Sequence, residues 1–202
     1  MSTVTRCLIL LILVLAVGLL PLAPVQPALS QATPSLGFIP DRLSLDAGAT
    51  GVVDLQAQGV SDLASFEVDL TFDPTIVAVE RVERMIGTAV QPSPNRTWTS
   101  LPTGSGTGYL QLGPGRIIFG GFSYGGDNPP GVTGDVTLTR LTVRGVRPGQ
   151  TSLTLTRALL TDTQAQPTTP TVGAGIVVIG GGGSSYSLFL PYIIAAQPSR
   201  LP

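Results

Sequence analysis

The sequence predicts an all-β protein, an antiparallel two-sheet sandwich of about nine strands. Three observations lead there. Short segments with a two-residue apolar and polar alternation recur at even spacing, as half-buried strands require, because successive side chains point to opposite faces. Turn residues separate them, in a chain with 25 Gly and 18 Pro among 202 residues. No run of three helical turns is present, and "VERVERMIG" (79–87) is the one stretch that could start a helix.

Residues 1–32 precede the first strand. Arg6 is followed by an apolar run over 7–20, then by prolines and small residues. This is the layout of a secretory signal peptide, with cleavage expected after Ser30 or Ala32. The run is shorter than the roughly 20 apolar residues that a membrane-spanning helix needs. About 170 residues remain after cleavage, enough for one domain with its own core. That sandwich is expected over 33–179, and the protein is expected outside the cell or on its surface.

The strands follow in order. "DRLSL" (41–45) is the first, and "DAGATG" turns the chain. In "VVDLQAQ" (52–58), Val53, Leu55 and Ala57 face inward, and Asp54, Gln56 and Gln58 face outward. In "FEVDLTF" (66–72), Phe66, Val68, Leu70 and Phe72 face inward, and Glu67, Asp69 and Thr71 outward. Pro74 cannot donate a ladder hydrogen bond, so the strand ends at Asp73-Pro74. There the chain leaves one sheet, and "TIVAVERV" (75–82) is expected to bury in the other.

Residues 87–108 are rich in Pro, Ser, Thr and Gly and read as loop, with an edge strand around Trp98. "YLQL" (109–112) and "GRIIFGGF" (115–122) form a hairpin across "GPG". In "DVTLTRLTV" (135–143) the alternation slips between Leu138 and Leu141, which predicts a bulge or bend. "TSLTLTRALL" (151–160) turns Leu153 and Leu155 inward. "GIVVIG" (175–180) is apolar on both sides and reads as a central or covered strand. "GGGGSS" (180–185) is a flexible linker to an apolar tail, 186–202, that is too short to span a bilayer.

What the chain lacks narrows its chemistry. It has no His and no Lys, and its one Cys, Cys7, lies in the signal segment. A disulfide in the mature domain, a His or Cys metal site, a Ser-His-Asp or Cys-His nucleophile and a Schiff-base lysine are all excluded. Removing Arg6 leaves ten Arg against twelve acidic residues, with no basic patch for nucleic acid. No metal or cofactor is expected. Glu67 and Asp69 stand about 7 Å apart on one strand face, within the range of an inverting glycosidase pair. Such an enzyme also needs a cleft with aromatic sugar platforms, so the pair reads as a solvated face and no hydrolase activity is expected. Trp98, Tyr109 and Tyr124 are candidates for stacking on sugar rings, with ordinary packing as the bland reading. Asp127-Asn128-Pro129 offers too few oxygens for calcium and reads as a turn.

The order of "DLASFEVDLTFDPTIVAVERV", "GRIIFGGFSYGG", "GVTGDVTLTRLTV", "RPGQTSLTL" and a short closing strand is similar to cohesin domains. These belong to a group of jelly-roll sandwiches that includes cellulose-binding modules. The resemblance covers 35–179. It implies a jelly roll that is not an enzyme and that binds a small calcium-loaded protein, the dockerin, through one sheet face. On that face it points to Ser65, Glu67 and Asp69, with Asp127 and Asn128 in a loop beside it. The alternatives are a polysaccharide-binding module and a structural or adhesive surface protein.

Overall fold

A computed structural model describes residues 33–181. The expected signal segment and apolar tail lie outside the described residues. Twelve strands and no helix occur among them. They are β1 (Ser35–Ile39), β2 (Arg42–Asp46), β3 (Thr50–Thr71), β4 (Val77–Arg84), β5 (Thr97–Leu101), β6 (Leu110–Gly113), β7 (Arg116–Tyr124), β8 (Val132–Gly145), β9 (Gly149–Asp162), β10 (Pro167–Thr168), β11 (Thr171–Val172) and β12 (Gly175–Gly180).

Strand β3 organises the domain. Its first half pairs with β8 on one side and β1 on the other, and its second half pairs with β7 and β9. One chain segment of 22 residues thereby serves both layers. The sequence led us to expect two strands here, 52–58 and 66–72. They are continuous because the chain kinks without leaving the sheet. Gly59 and Asp62 adopt left-handed backbone, with φ of 64° and 56°. The kink is held from the side: Gly59 N donates to Asp135 Oδ1 at 2.9 Å, and Asp62 N to Thr133 Oγ1 at 3.1 Å.

After β3 the turn at Asp73-Pro74 is closed by the Asp73 carboxylate. Its Oδ1 accepts from Thr75 N at 2.8 Å and from Thr75 Oγ1 at 2.7 Å, an Asx-turn arrangement. Strand β4 then pairs with β8, in the layer opposite the second half of β3. Residues 79–87 do not form a helix, because pairing with β8 continues through Arg84 opposite Thr139. The slip in the β8 alternation is a bulge. Register passes from Leu55 opposite Thr139 to Gln56 opposite Thr137, leaving Leu138 over, and both Leu138 and Thr139 are buried.

The β6–β7 hairpin turns at Gly115, which has φ of 67° and lies against the Phe72 carbonyl. β12 is flanked on both sides, antiparallel to the start of β9 and parallel to β2. β1 and the two-residue β10 and β11 carry no alternation long enough to be read in advance.

One core fills the space between the layers. Val53, Leu55, Leu141 and Val143 come from one side and Phe66, Leu70, Ile117 and Phe119 from the other. Phe72 is only partly buried at its margin. The edge of β4 is covered by the loop that follows β5. Val82 N donates to the Thr107 carbonyl at 2.7 Å, and Tyr109 Oη to the Val79 carbonyl at 2.8 Å. A covered edge cannot pair with another chain.

Candidate functional site

The outer face of β5, β7, β3 and β9 is built row by row from the register. Ser65 lies between Phe122 and Thr161, Glu67 between Gly120 and Leu159, and Asp69 between Ile118 and Arg157. β5 places Thr99 beside Phe122 and Leu101 beside Gly120, and β6 places Leu110 beside Ile118. The result is an exposed apolar patch around a glycine that leaves its floor flat. Leu110 is 52% exposed, Tyr124 55% and Phe122 37%. The rings of Phe122 and Tyr124 are 6.3 Å apart and tilted by 37°.

Charge lies to one side of this patch. Glu67 pairs with Arg157 at 2.9 Å, and Asp69 is gripped by Arg116 at 2.5 Å. The opposite outer face differs in kind. Arg140–Asp54 and Arg144–Glu80 pairs cross it, and its exposed Ile39 and Val52 fall on separate rows.

The residues singled out from the sequence divide as follows. Ser65 and Glu67 share the face and are half-buried. Asp69 points to the same side, yet it is 4% exposed rather than solvated. The guanidinium of Arg116 lies across it, with Nε and Nη2 both donating, and Thr156 donates to its backbone carbonyl. Asp127 and Asn128 are exposed, both with left-handed backbone, in the loop that starts just after Tyr124. Arg96 anchors that loop, donating to the Pro129 carbonyl at 2.5 Å and to Ser123 Oγ at 2.8 Å.

Trp98 cannot be a sugar platform. It is 5% exposed and sits in the core 6.4 Å from the Phe66 ring. Tyr109 is half-buried with its hydroxyl committed to Val79, so it is packing as well. Only Tyr124 of the three presents a ring to solvent. Phe122, Leu101, Leu110 and Ile118 were missed. With Phe119 directed inward, the alternation of "IIFGGF" sends Ile118, Gly120 and Phe122 outward, and that pattern was present to be read.

Two carboxylates on and near this face ionise more readily than usual. The Arg116 side-chain hydrogen bond holds the Asp69 carboxyl below its ordinary range, against the opposing effect of burial. Asp62 is lowered chiefly by the Thr163 hydroxyl, then by the Gly131 amide. A carboxylate with a depressed folded pKa contributes stability above its unfolded pKa and loses it as pH falls through the folded value. The chain has no His, so no side chain with an ordinary pKa near neutrality titrates. The melting temperature is therefore expected to stay flat from about pH 5.5 to 8 and to fall below about pH 4. Asp69→Asn should soften the acid limb, and calorimetry across pH checks both.

Among the described residues, no three acidic, His or Cys side chains come together as a metal site. No family model and no curated protein matches the chain. Solved structures do. A non-cellulosomal cohesin from Archaeoglobus fulgidus is 18% identical, with a TM-score of 0.52, over 74% of this chain and 91% of that one. A cohesin module from a family 33 glycoside hydrolase of Clostridium perfringens is 12% identical, with a TM-score of 0.56, over 74% and 98%. A type I cohesin–dockerin complex from Clostridium thermocellum is 17% identical, with a TM-score of 0.53, over 74% and 94%. The described domain thus has the cohesin-like fold, an all-β jelly-roll sandwich.

Proposed function

We propose that this chain is a secreted, non-catalytic recognition module that binds a dockerin-like protein through the outer face of β5, β7, β3 and β9. The observation that carries the reading is the apolar patch of Phe122, Tyr124, Leu101 and Leu110 on one outer face, set beside the Asp69–Arg116 and Glu67–Arg157 pairs. Exposed apolar clusters rimmed by polar groups are the usual mark of a protein-binding surface. The fold is shared with a cohesin solved with its dockerin, which supports a partner of that kind. Secretion rests on the signal-like segment over 1–32.

A polysaccharide fits this face less well. Phe122 and Tyr124 are tilted by 37° and do not form a flat platform, and Trp98 is buried. The test is capture of dockerin modules from the same genome by the immobilised domain. Changing Phe122 and Tyr124 together to Ala should cost about 2 kcal/mol or more of binding, as interface aromatics do. Glu67→Gln at the rim should change affinity by less than about 1 kcal/mol. Capture of no dockerin, or retention on insoluble cellulose that survives the double substitution, would count against the reading.

A further inference from the structure

A second feature lies between the C-terminal end of β4 and the loop over 102–108. It is a cavity of about 400 Å³, within the range of small-molecule sites. Its charged lining is Arg81, Glu83 and Arg84, and Ser100 and Thr103 supply hydroxyls; the Ser105 hydroxyl is already taken by Gly108 N and the Tyr109 carbonyl.

Arg84 is one of four described arginines without a carboxylate partner, with Arg42, Arg96 and Arg147, and the one among them whose Nε is buried without a hydrogen bond. Five others, Arg81, Arg116, Arg140, Arg144 and Arg157, pair with a carboxylate. Arg84 pairs with none among the described residues, and no Asp or Glu occurs outside 33–181. Its Nη1 donates to the Ile86 carbonyl, and its Nε is buried with no partner. Burial lowers its pKa with nothing opposing. A partly desolvated guanidinium without a counter-charge carries a cost, and an anion relieves it.

The rest of the lining narrows the anion. Glu83, which pairs with Arg81 at 3.1 Å, neutralises one of the two arginines. A single net positive charge suits a monovalent carboxylate better than a doubly charged phosphate. Glu83 and the Ser100 and Thr103 hydroxyls also supply acceptors and donors for a ligand that carries its own hydroxyl groups. We infer that the cavity between β4 and the 102–108 loop binds an acidic sugar, with its carboxylate on Arg84 and its hydroxyls on Glu83, Ser100 and Thr103. Apart from Thr99, which borders both, this site is distinct from the proposed partner face and does not depend on it.

The experiment is a thermal-shift and calorimetric titration of the full chain with D-glucuronate, glucose, acetate and inorganic phosphate. Glucuronate should raise the melting temperature and the other three should do so much less. Arg84→Met should weaken glucuronate binding by about tenfold or more, equivalent to one charged hydrogen bond lost. Without ligand, the same substitution should leave the melting temperature unchanged or higher, because it removes an uncompensated charge. Arg84→Lys keeps the charge and should retain part of the binding, which provides a reading if the Met variant folds poorly. Phe122→Ala with Tyr124→Ala should leave glucuronate binding unchanged. No response to glucuronate, an equal response to glucose or acetate, a stronger one to phosphate, or full binding by Arg84→Met would each overturn the proposal.

Discussion

Gly108→Ala is expected to destabilise the domain by about 3–5 kcal/mol, from backbone strain, displaced backbone and lost hydrogen bonds together. A Cβ at this position would lie 1.8 Å from the Val82 carbonyl oxygen. The obstacle is main chain, so no rotamer change can relieve it. Gly108 also has φ of 77°, where an L side chain costs about 1–2 kcal/mol. The loop would have to rise from β4, which strains the Val82–Thr107 and Tyr109–Val79 hydrogen bonds that seat it. In a domain of this size each kcal/mol lowers the melting temperature by about 2–4 °C. Urea denaturation should therefore show a lower midpoint with an unchanged slope. A loss below about 1 kcal/mol would mean that the loop does not rest on β4 in the way described.

Phe66→Ala should cost a similar amount, about 3–5 kcal/mol, through the cavity it leaves. Phe66 is 2% exposed, lies against Trp98 and reaches the wall formed by Gly121. β3 is paired on both sides at this point, opposite Gly121 and Leu160, so the backbone cannot easily collapse into the void. Phe72→Ala is the control. Phe72 continues the same alternation but is only partly buried, and it should cost distinctly less. Chemical denaturation of both variants gives the comparison, and equal losses would refute the difference in burial.

The fold was legible wherever a local pattern decides the outcome. Alternation placed Val53, Leu55, Phe66 and Leu153 inward, the proline at 74 ended a strand, and the slip after Leu138 marked a bulge. The face of each residue on β3 was legible in the same way. What covers a residue was not. Asp69 is hidden by Arg116, which is 47 positions away, and that contact depends on β7 lying beside β3. Trp98 looked like a ligand platform because composition cannot say on which side of an edge strand a ring falls. The unity of β3 was hidden too, since the hydrogen bonds that carry it through Gly59 and Asp62 come from β8, more than 70 positions later.

The pairing of β2 with β12 has a consequence for the order of events during synthesis. Residues Arg42 to Asp46 find their ladder partners only in Ile176 to Gly180, the last strand of the domain. A ribosome therefore delivers one of the first strands long before its partner exists. β3 likewise waits for β7, β8 and β9. Local ladders such as β1–β3 and the β6–β7 hairpin can form as they emerge, but β2 cannot pair until the end. The layer that holds β2 and β12 is therefore the last to be completed, and pairings this distant in sequence fold slowly.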